Sequence, residues 1–469
     1  MREKVKTVTL LVLILVSFQL TSMFWMRVLA PMPLVVSPTP SLSTTELPQG
    51  SYLDLYAPLF IYVHDGGSHI QLRVSDSEYQ QVWQKLKGVI TGAMVPTGSQ
   101  TVELLSTDTD VWQQATSNSL EFRFSGQVEL NYWWLTASKS TFQKFSSEPL
   151  FFDRILVPLN DSSVYFRNLQ TGTVWRWQWS SQPNAALFPR VSDLPFSNSQ
   201  RLREVRTPNG VAIAPAANLF VERSLTTLPE VLATLPYSEK GRAGIIKQFF
   251  GITPRMPKTN TNAHGEVVES YITAKQQVLR LYNTGLIEFN QTVKQPAAVW
   301  ASVTEQFEQA FNFISTHGGW PKTVISAGIK QVGIGADQSG YQFDFMQLYD
   351  GYPLVDLIPA TISVQVMPDG IRSYTRKVYT VQQNGYFRYE LRSAEDALTV
   401  ARSRLNGRQV TDIYLGYYQR GDIAYDPDQP FNSEPMYLFP VWVIELNNGQ
   451  QLLVHAFKLL NDPGVITPE

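Results

Sequence analysis

Residues Val267 to Ile314 read VVESYITAKQQVLRLYNTGLIEFNQTVKQPAAVWASVTEQFEQAFNFI, and this stretch decides the fold. Its first half, to Gln291, is a run of strands rich in β-branched and aromatic residues. Ser302-Val303-Thr304-Glu305 then carries a capping box, in which the serine hydroxyl and the glutamate three residues on satisfy each other's free backbone N–H groups. Behind it Val303, Phe307, Ala310, Phe311 and Ile314 fall on one helical face, and Gly318-Gly319 stops the helix. Strands follow at KTVISAGIKQVGI (322–334) and YQFDFMQLY (341–349).

The same order returns downstream. ATISVQVMPDGIRSYTRKVYTV (360–381) reads as a hairpin turning at Asp369-Gly370. Ser393-Ala394-Glu395-Asp396 resembles a second capping box. The helix behind it presents Ala397, Leu398, Ala401 and Leu405 and stops at Asn406-Gly407. Strands QVTDIYLGYYQ (409–419), YLFPVWVIEL (437–446) and QLLVHAFKL (451–459) complete the copy. Strands, one helix and strands, twice over, argue α+β: antiparallel sheets, each with a helix on one face.

Toward the N-terminus, APLFIYVHD and HIQLRVS read as strands around the Asp65-Gly66-Gly67 turn. Ser77 to Ile90 places Tyr79, Val82, Trp83, Leu86 and Ile90 on one helical face. Strands follow at SLEFRFSG, RILVPLN, SVYFRN and TVWRWQW. The Pro-, Ser- and Asn-rich segment from Gln182 to Asn209 marks a boundary. The expected organisation is an N-terminal α+β region (51–185), a central one (186–320) and a C-terminal one (321–469), the last a weak repeat of the central one.

The first 50 residues read differently. Arg2, Lys4 and Lys6 form a basic stub (1–6), and Thr7 to Met26 then runs 20 residues without a charge. At about 1.5 Å per residue such a helix spans roughly 30 Å, the thickness of the bilayer hydrocarbon. Residues 7–27 are therefore expected to form one transmembrane helix, with the basic end in the cytoplasm and the bulk of the chain outside. A cleaved signal peptide is the competing reading, since Val28-Leu29-Ala30 has the spacing of a cleavage site. Pro31 opposes it, and so does the length of the apolar run. Within the helix, Ser17, Gln19 and Ser22 are candidates for a helix-pairing face, where an amide gains from an interhelical hydrogen bond. Residues 28–50, with five prolines between 31 and 48, form an extended spacer.

Composition narrows the chemistry. Of 469 residues, 38 are basic and 40 acidic, so the basic excess of a nucleic-acid binder is missing. The chain has no cysteine, which excludes disulfides, thiolate nucleophiles, Cys-ligated metals and a lipid-anchored cysteine. The five histidines form no H-E-x-x-H; His64 and His69 flank a turn and could meet. Gly333-Ile334-Gly335 with Gly340 lacks the Gly-Lys-Ser/Thr of a phosphate loop. Asp422, Asp426 and Asp428 read as a hydrated turn or a calcium loop. Trp175, Trp177 and Trp179 alternate along one strand, either as core packing or as an aromatic face for a sugar or a partner. No catalytic residue, cofactor or metal site is assigned.

Stub, single helix, spacer and three α+β regions together resemble the YycH family of Gram-positive bacteria. The local carriers are REKVKTVTLLVLILVSFQLTSMFW at the start, FFDRILVPLNDSSVYFRN mid-chain, VVESYITAKQQVLRLYNTGLIEFN, LYDGYPLV and LFPVWVIELNNGQ. The resemblance implies a non-catalytic membrane regulator. Its partners would be a sensor histidine kinase of the WalK (YycG) type and a YycI-like protein, in cell-wall homeostasis. The spacer is longer and richer in proline than the family pattern suggests. The alternative is a membrane-anchored cell-wall glycan-binding protein or hydrolase.

Overall fold

The computed structural model describes residues 52–92, 103–105, 112, 116–130, 133, 150–178, 201–214, 217, 219–223, 225–234, 239–251, 257–262, 266–273, 276–292, 302–333, 340–355, 361–419, 436–457 and 465–466. The transmembrane segment 7–27 expected from the sequence, with Ser17, Gln19 and Ser22, lies outside them. So do the spacer, Trp179 and the Asp422–Asp428 turn. Among the described residues no helix is long and apolar enough to cross a membrane.

The protein is mixed α+β with mostly antiparallel sheets. The first sheet holds β1 (Phe60–Asp65), β2 (Ser68–Arg73), β3 (Glu103–Leu104), β4 (Asn118–Glu129), β5 (Phe151–Pro158), β6 (Ser163–Asn168) and β7 (Thr173–Gln178). Its strands lie in the order β2-β1-β4-β5-β6-β7-β3. The β1–β2 hairpin turns where the sequence placed it, with Gly66 and Gly67 at φ +53° and +102°, values that favour glycine. Before the sheet stands a short helix, α1 (Tyr52–Leu55), and after β2 comes α2 (Ser77–Gly92). Tyr79, Val82, Trp83 and Leu86 of α2 are buried as their spacing predicts.

A two-stranded piece follows, β8 (Leu202–Glu204) against β9 (Phe220–Glu222). The second sheet contains β10 (Thr227–Thr234), β11 (Lys258–Thr261), β12 (Val267–Ile272), β13 (Gln277–Tyr282), β14 (Ile287–Gln291), β15 (Val324–Val332), β16 (Gly340–Tyr349), β17 (Tyr352–Val355), β18 (Ile362–Met367) and β19 (Gly370–Arg376). It continues with β20 (Thr380–Glu390), β21 (Val410–Gln419), β22 (Met436–Leu446), β23 (Gln451–His455) and β24 (Val465–Ile466). Strands β11 to β14 are a meander that continues into β19, β18, β16 and β15. A tight turn at Asp350-Gly351, both with positive φ, passes from β16 to β17. Strand β17 pairs in parallel with β21, and β22, β10 and β20 follow.

Each half of this sheet carries a helix. Helix α4 (Val303–Thr316) has the full capping box between Ser302 and Glu305 and buries Phe307, Ala310, Phe311 and Ile314. Each large apolar side chain buried there contributes about 1.5–3 kcal/mol. It packs on β16, β18 and β19. Gly318 and Gly319, at φ +115° and +69°, end it. Helix α5 (Ala394–Ala401) packs on β22 and β23 and buries Ala397, Leu398 and Ala401. Its cap is half of a box: Ser393 accepts from the Asp396 N–H without the return bond from the Asp396 carboxylate, and Glu395 between them pairs with Arg203. Helix α3 (Glu239–Phe250) joins β10 to β11.

Two further features fix the site. Strand β10 comes from the central stretch of sequence, yet it is inserted between β22 and β20. Strand β4 of the first sheet lies against β15 of the second, where both strands bulge. There the backbones meet at Gly126: a Cβ on it would sit 1.9 Å from the carbonyl oxygen of Ala327. Ser125 Oγ donates to the Ser326 carbonyl at 2.6 Å beside it.

Candidate functional site

The inner face of the first sheet is charged, which an ordinary core face is not. Cross-strand register places Phe60, Arg123, Arg154 and Arg167 in one row over β1, β4, β5 and β6. Three guanidinium groups side by side repel one another. They are also buried, each 4% exposed. A charge row of this kind persists only when carboxylates answer it.

The answer comes from the second sheet. Asp412, 2% exposed on β21, accepts from Arg123 Nη1 and from Arg154 Nη2, each at 2.8 Å. Glu121, two residues before Arg123, takes the Arg123 Nε–H at 2.9 Å. The guanidinium of Arg123 also lies 4.0 Å from the ring centre of Tyr62, and that of Arg167 lies 5.5 Å from that of Trp112. Burial pushes the Glu121 carboxyl up, but Arg123, the hydrogen bond with His64 and Arg154 outweigh it and hold it well below the usual range. At the far side, burial and the neighbouring Asp412 push Glu445 up to about 7, against Arg154 and a hydrogen bond from Tyr414. The void beside Arg167 and Thr411 measures about 10 Å³, room for no more than a water molecule. The network joins the first sheet to β21.

His64 and His69 do meet, as their places beside the turn suggested. Their Nδ1 atoms are 2.8 Å apart, and His64 Nε2 lies 3.3 Å from Glu121 Oε2. The consistent assignment has His64 donating from Nε2 to Glu121 and accepting at Nδ1 from His69. Burial first, then His64, lowers His69 to about 4. Among the described residues no three His, Asp or Glu side chains are placed to hold a metal ion.

Next to the network opens a cavity of about 210 Å³. It lies between Phe60 and Gln71 of the first sheet, the β9 segment, and the Leu391–Ala394 and Ile413–Leu415 stretches. Aromatic rings of Phe220, Tyr352, Tyr414 and Trp442 line it together with Arg203, Glu222, Arg223 and Arg392. Glu222 is held by Arg73 at 3.4 Å and by the Tyr352 hydroxyl. Arg203 forks onto Glu395, whose carboxyl that hydrogen bond lowers to about 2.

The other residues singled out from the sequence fall elsewhere. Trp177 is 2% exposed inside the main core, and Trp175 is half-buried against the same core. Gly340 begins β16, and a Cβ there would sit 2.1 Å from the Val366 carbonyl oxygen, so close strand packing requires it. The arginine row and Asp412 escaped the sequence reading, although a signal was present. Each is a charge set in a largely apolar strand: LEFRF (120–124), FFDRIL (151–156), YFRN (165–168) and VTDI (410–413). A charge in such a place needs a buried partner, but the sequence does not say which.

No family model matches the chain, and no curated protein matches it. Among solved structures, the crystal structure of YycH from Bacillus subtilis matches with a TM-score of 0.54 and 16% identity, covering 86% of this chain and 97% of that one. The fold is thus YycH-like, and the resemblance read from the sequence holds at the level of structure. An uncharacterized protein from Eubacterium rectale matches at a TM-score of 0.34 and 9% identity, over 57% of this chain and 94% of that one. That likeness carries no argument.

Proposed function

We propose that this chain is a membrane-anchored accessory regulator of the YycH type, acting by contact and not by catalysis. The observation that carries the reading is the YycH-like fold along nearly the whole of the matched protein. The sequence supports it with the uncharged run 7–26 behind a basic stub. In this reading residues 7–27 cross the membrane once, residues 28–50 hold the folded part away from it, and three α+β regions face outward. The partners are a sensor histidine kinase of the WalK (YycG) type and a YycI-like protein, and the output is cell-wall homeostasis.

The interior supports this division of labour. The arginine row, Asp412 and Gly126 fix the two sheets against each other, which suits a body that acts by presenting surfaces. In the membrane, Ser17, Gln19 and Ser22 are the proposed face for the kinase helix. An interhelical hydrogen bond of about 0.6–2 kcal/mol corresponds to roughly 3–30-fold in association.

The test is co-purification of the full-length chain with the kinase from membranes, comparing the natural sequence with the Gln19→Leu, Ser22→Leu double variant. Recovery of the kinase is expected to fall several-fold at equal expression. Undiminished recovery and unchanged signalling would remove that face from the scheme. A product trimmed after Ala30 and released to the medium would remove the anchor itself.

A further inference from the structure

We propose that the arginine-rich surface formed by the 201–210 arm, the end of β9 and α5 is a docking face for anionic phospholipid headgroups. The inference takes its partner from the membrane-anchor reading and its place from exposed side chains of the folded part.

Two stretches supply most of the charge, RLREVRTPNG (201–210) and RSRLNGR (402–408). Together they hold six arginines, one glutamate and no lysine. They are far apart in sequence and adjacent in the fold. Arg203 forks onto Glu395 in the first turn of α5, and the Arg206 N–H donates to the same carboxylate at 3.2 Å. At the other end of α5, Arg402 Nη1 donates to the Asn209 carbonyl at 3.3 Å. The arm therefore runs alongside the helix from end to end. The residue after β9 adds one more arginine. The Arg223 N–H donates to the Arg201 carbonyl at 2.7 Å, one step beyond the Leu202–Glu222 pair. Arg201 and Arg223 thus stand opposite each other, where like charges repel.

The surface is open. Arg201, Arg206, Arg223, Arg402 and Arg404 are exposed, and among the described residues none of the five is in an ion pair. The acids beside them are Glu204 and Asp396, since Arg203 already holds Glu395. This local excess of positive charge sits on a chain whose net charge is -2, and the fields of neighbouring charges add.

The chemistry of the patch points to phosphate. The guanidinium fork matches phosphate oxygens in pairs, which a lysine ammonium does not do. The tether selects the source of that phosphate. Residues 28–50 span about 70 Å at 3.1 Å per residue, so an anchored body stays close to lipid headgroups. Near an anionic leaflet each arginine is worth roughly fivefold in partition.

The chain has no cysteine, so Thr207→Cys on the exposed arm gives a single thiol for a fluorescent donor. The full-length protein is placed in nanodiscs that carry an acceptor-labelled lipid, made of phosphatidylcholine with or without phosphatidylglycerol. Energy transfer should be higher with phosphatidylglycerol and fall to the neutral-lipid value at high salt. The Arg206→Gln, Arg402→Gln, Arg404→Gln variant should lose the dependence on lipid charge. Equal transfer in both lipids, or a variant that keeps the difference, overturns the proposal and leaves the patch to an acidic protein. A chain that stays in solution without detergent ends the anchor reading and not the patch. It is then sedimented with vesicles of the same two compositions. The natural chain should partition onto phosphatidylglycerol about 100-fold more strongly than the triple variant, and equal partition overturns the proposal. The comparison of lipids needs no variant, so a misfolded triple variant leaves the test intact.

Discussion

Arg123 and Asp412 stand 289 residues apart in the chain and 2.8 Å apart in the fold. The bond joins β4 of the first sheet to β21 of the second, and Arg154 shares the same carboxylate. Asp412→Ala would leave the two buried guanidinium groups to share Glu121 alone. Removing one partner of a buried ion pair typically costs about 3–5 kcal/mol. A urea titration followed by circular dichroism should show that loss in the Asp412→Ala variant. An unchanged midpoint would mean that the arginines find water and that the clamp is not structural.

Gly126 makes the second joint between the sheets. A methyl group there meets the backbone of Ala327 and not a flexible side chain, so nothing yields cheaply. Gly126→Ala should cost about 1–3 kcal/mol, the usual range for overpacking. It should also expose the β4–β15 seam to limited proteolysis ahead of the other strands. Cleavage with the natural pattern and rate would show that the seam relaxes freely.

What the sequence disclosed follows from how local each signal is. The capping box of Ser302 and Glu305, the apolar face of α4 and the glycine turns at Gly66 and Gly370 are set by residues within a few positions of one another. Their outcome could be read directly. The paths of β10 and β17 could not. Thr227–Thr234 contains Pro229 and shows no marked periodicity, and its partners are more than 145 residues downstream. The arginine row is a third case: each strand was legible, but the row exists only in cross-strand register.

Glu445 offers a test by neutralisation. Burial and Asp412 raise its carboxyl from the ordinary 4.5 to about 7. Between those values the folded protein keeps a proton that the unfolded chain has released, so stability declines as pH climbs through that window. Glu445→Gln removes the decline and keeps an oxygen to accept the Tyr414 hydroxyl. It should stabilise the protein by up to about 3 kcal/mol at pH 8 and by close to zero at pH 4. A gain of equal size at both pH values would point to packing instead of charge.

His69 acts in the opposite direction. Burial and His64 lower its imidazole from 6.5 to about 4. As pH falls from 6.5 to 4 the unfolded chain takes up a proton that the folded state refuses, and stability is lost. Since the ring is partly exposed to solvent, the loss is about 1–2 kcal/mol instead of the full value. The windows of His69 and Glu445 overlap between pH 4.5 and 6.5, where the shallower His69 slope offsets part of the Glu445 slope, so the natural protein should decline less steeply there than Glu445 alone would dictate. The two variants separate them. His69→Gln keeps an N–H for His64 but does not titrate, so its stability should decline with rising pH across the overlap. Glu445→Gln should instead climb with rising pH over the same range. Midpoints of urea unfolding at pH 4.5, 5.5 and 6.5 read both slopes, and parallel profiles for the two variants would dismiss the opposed pair.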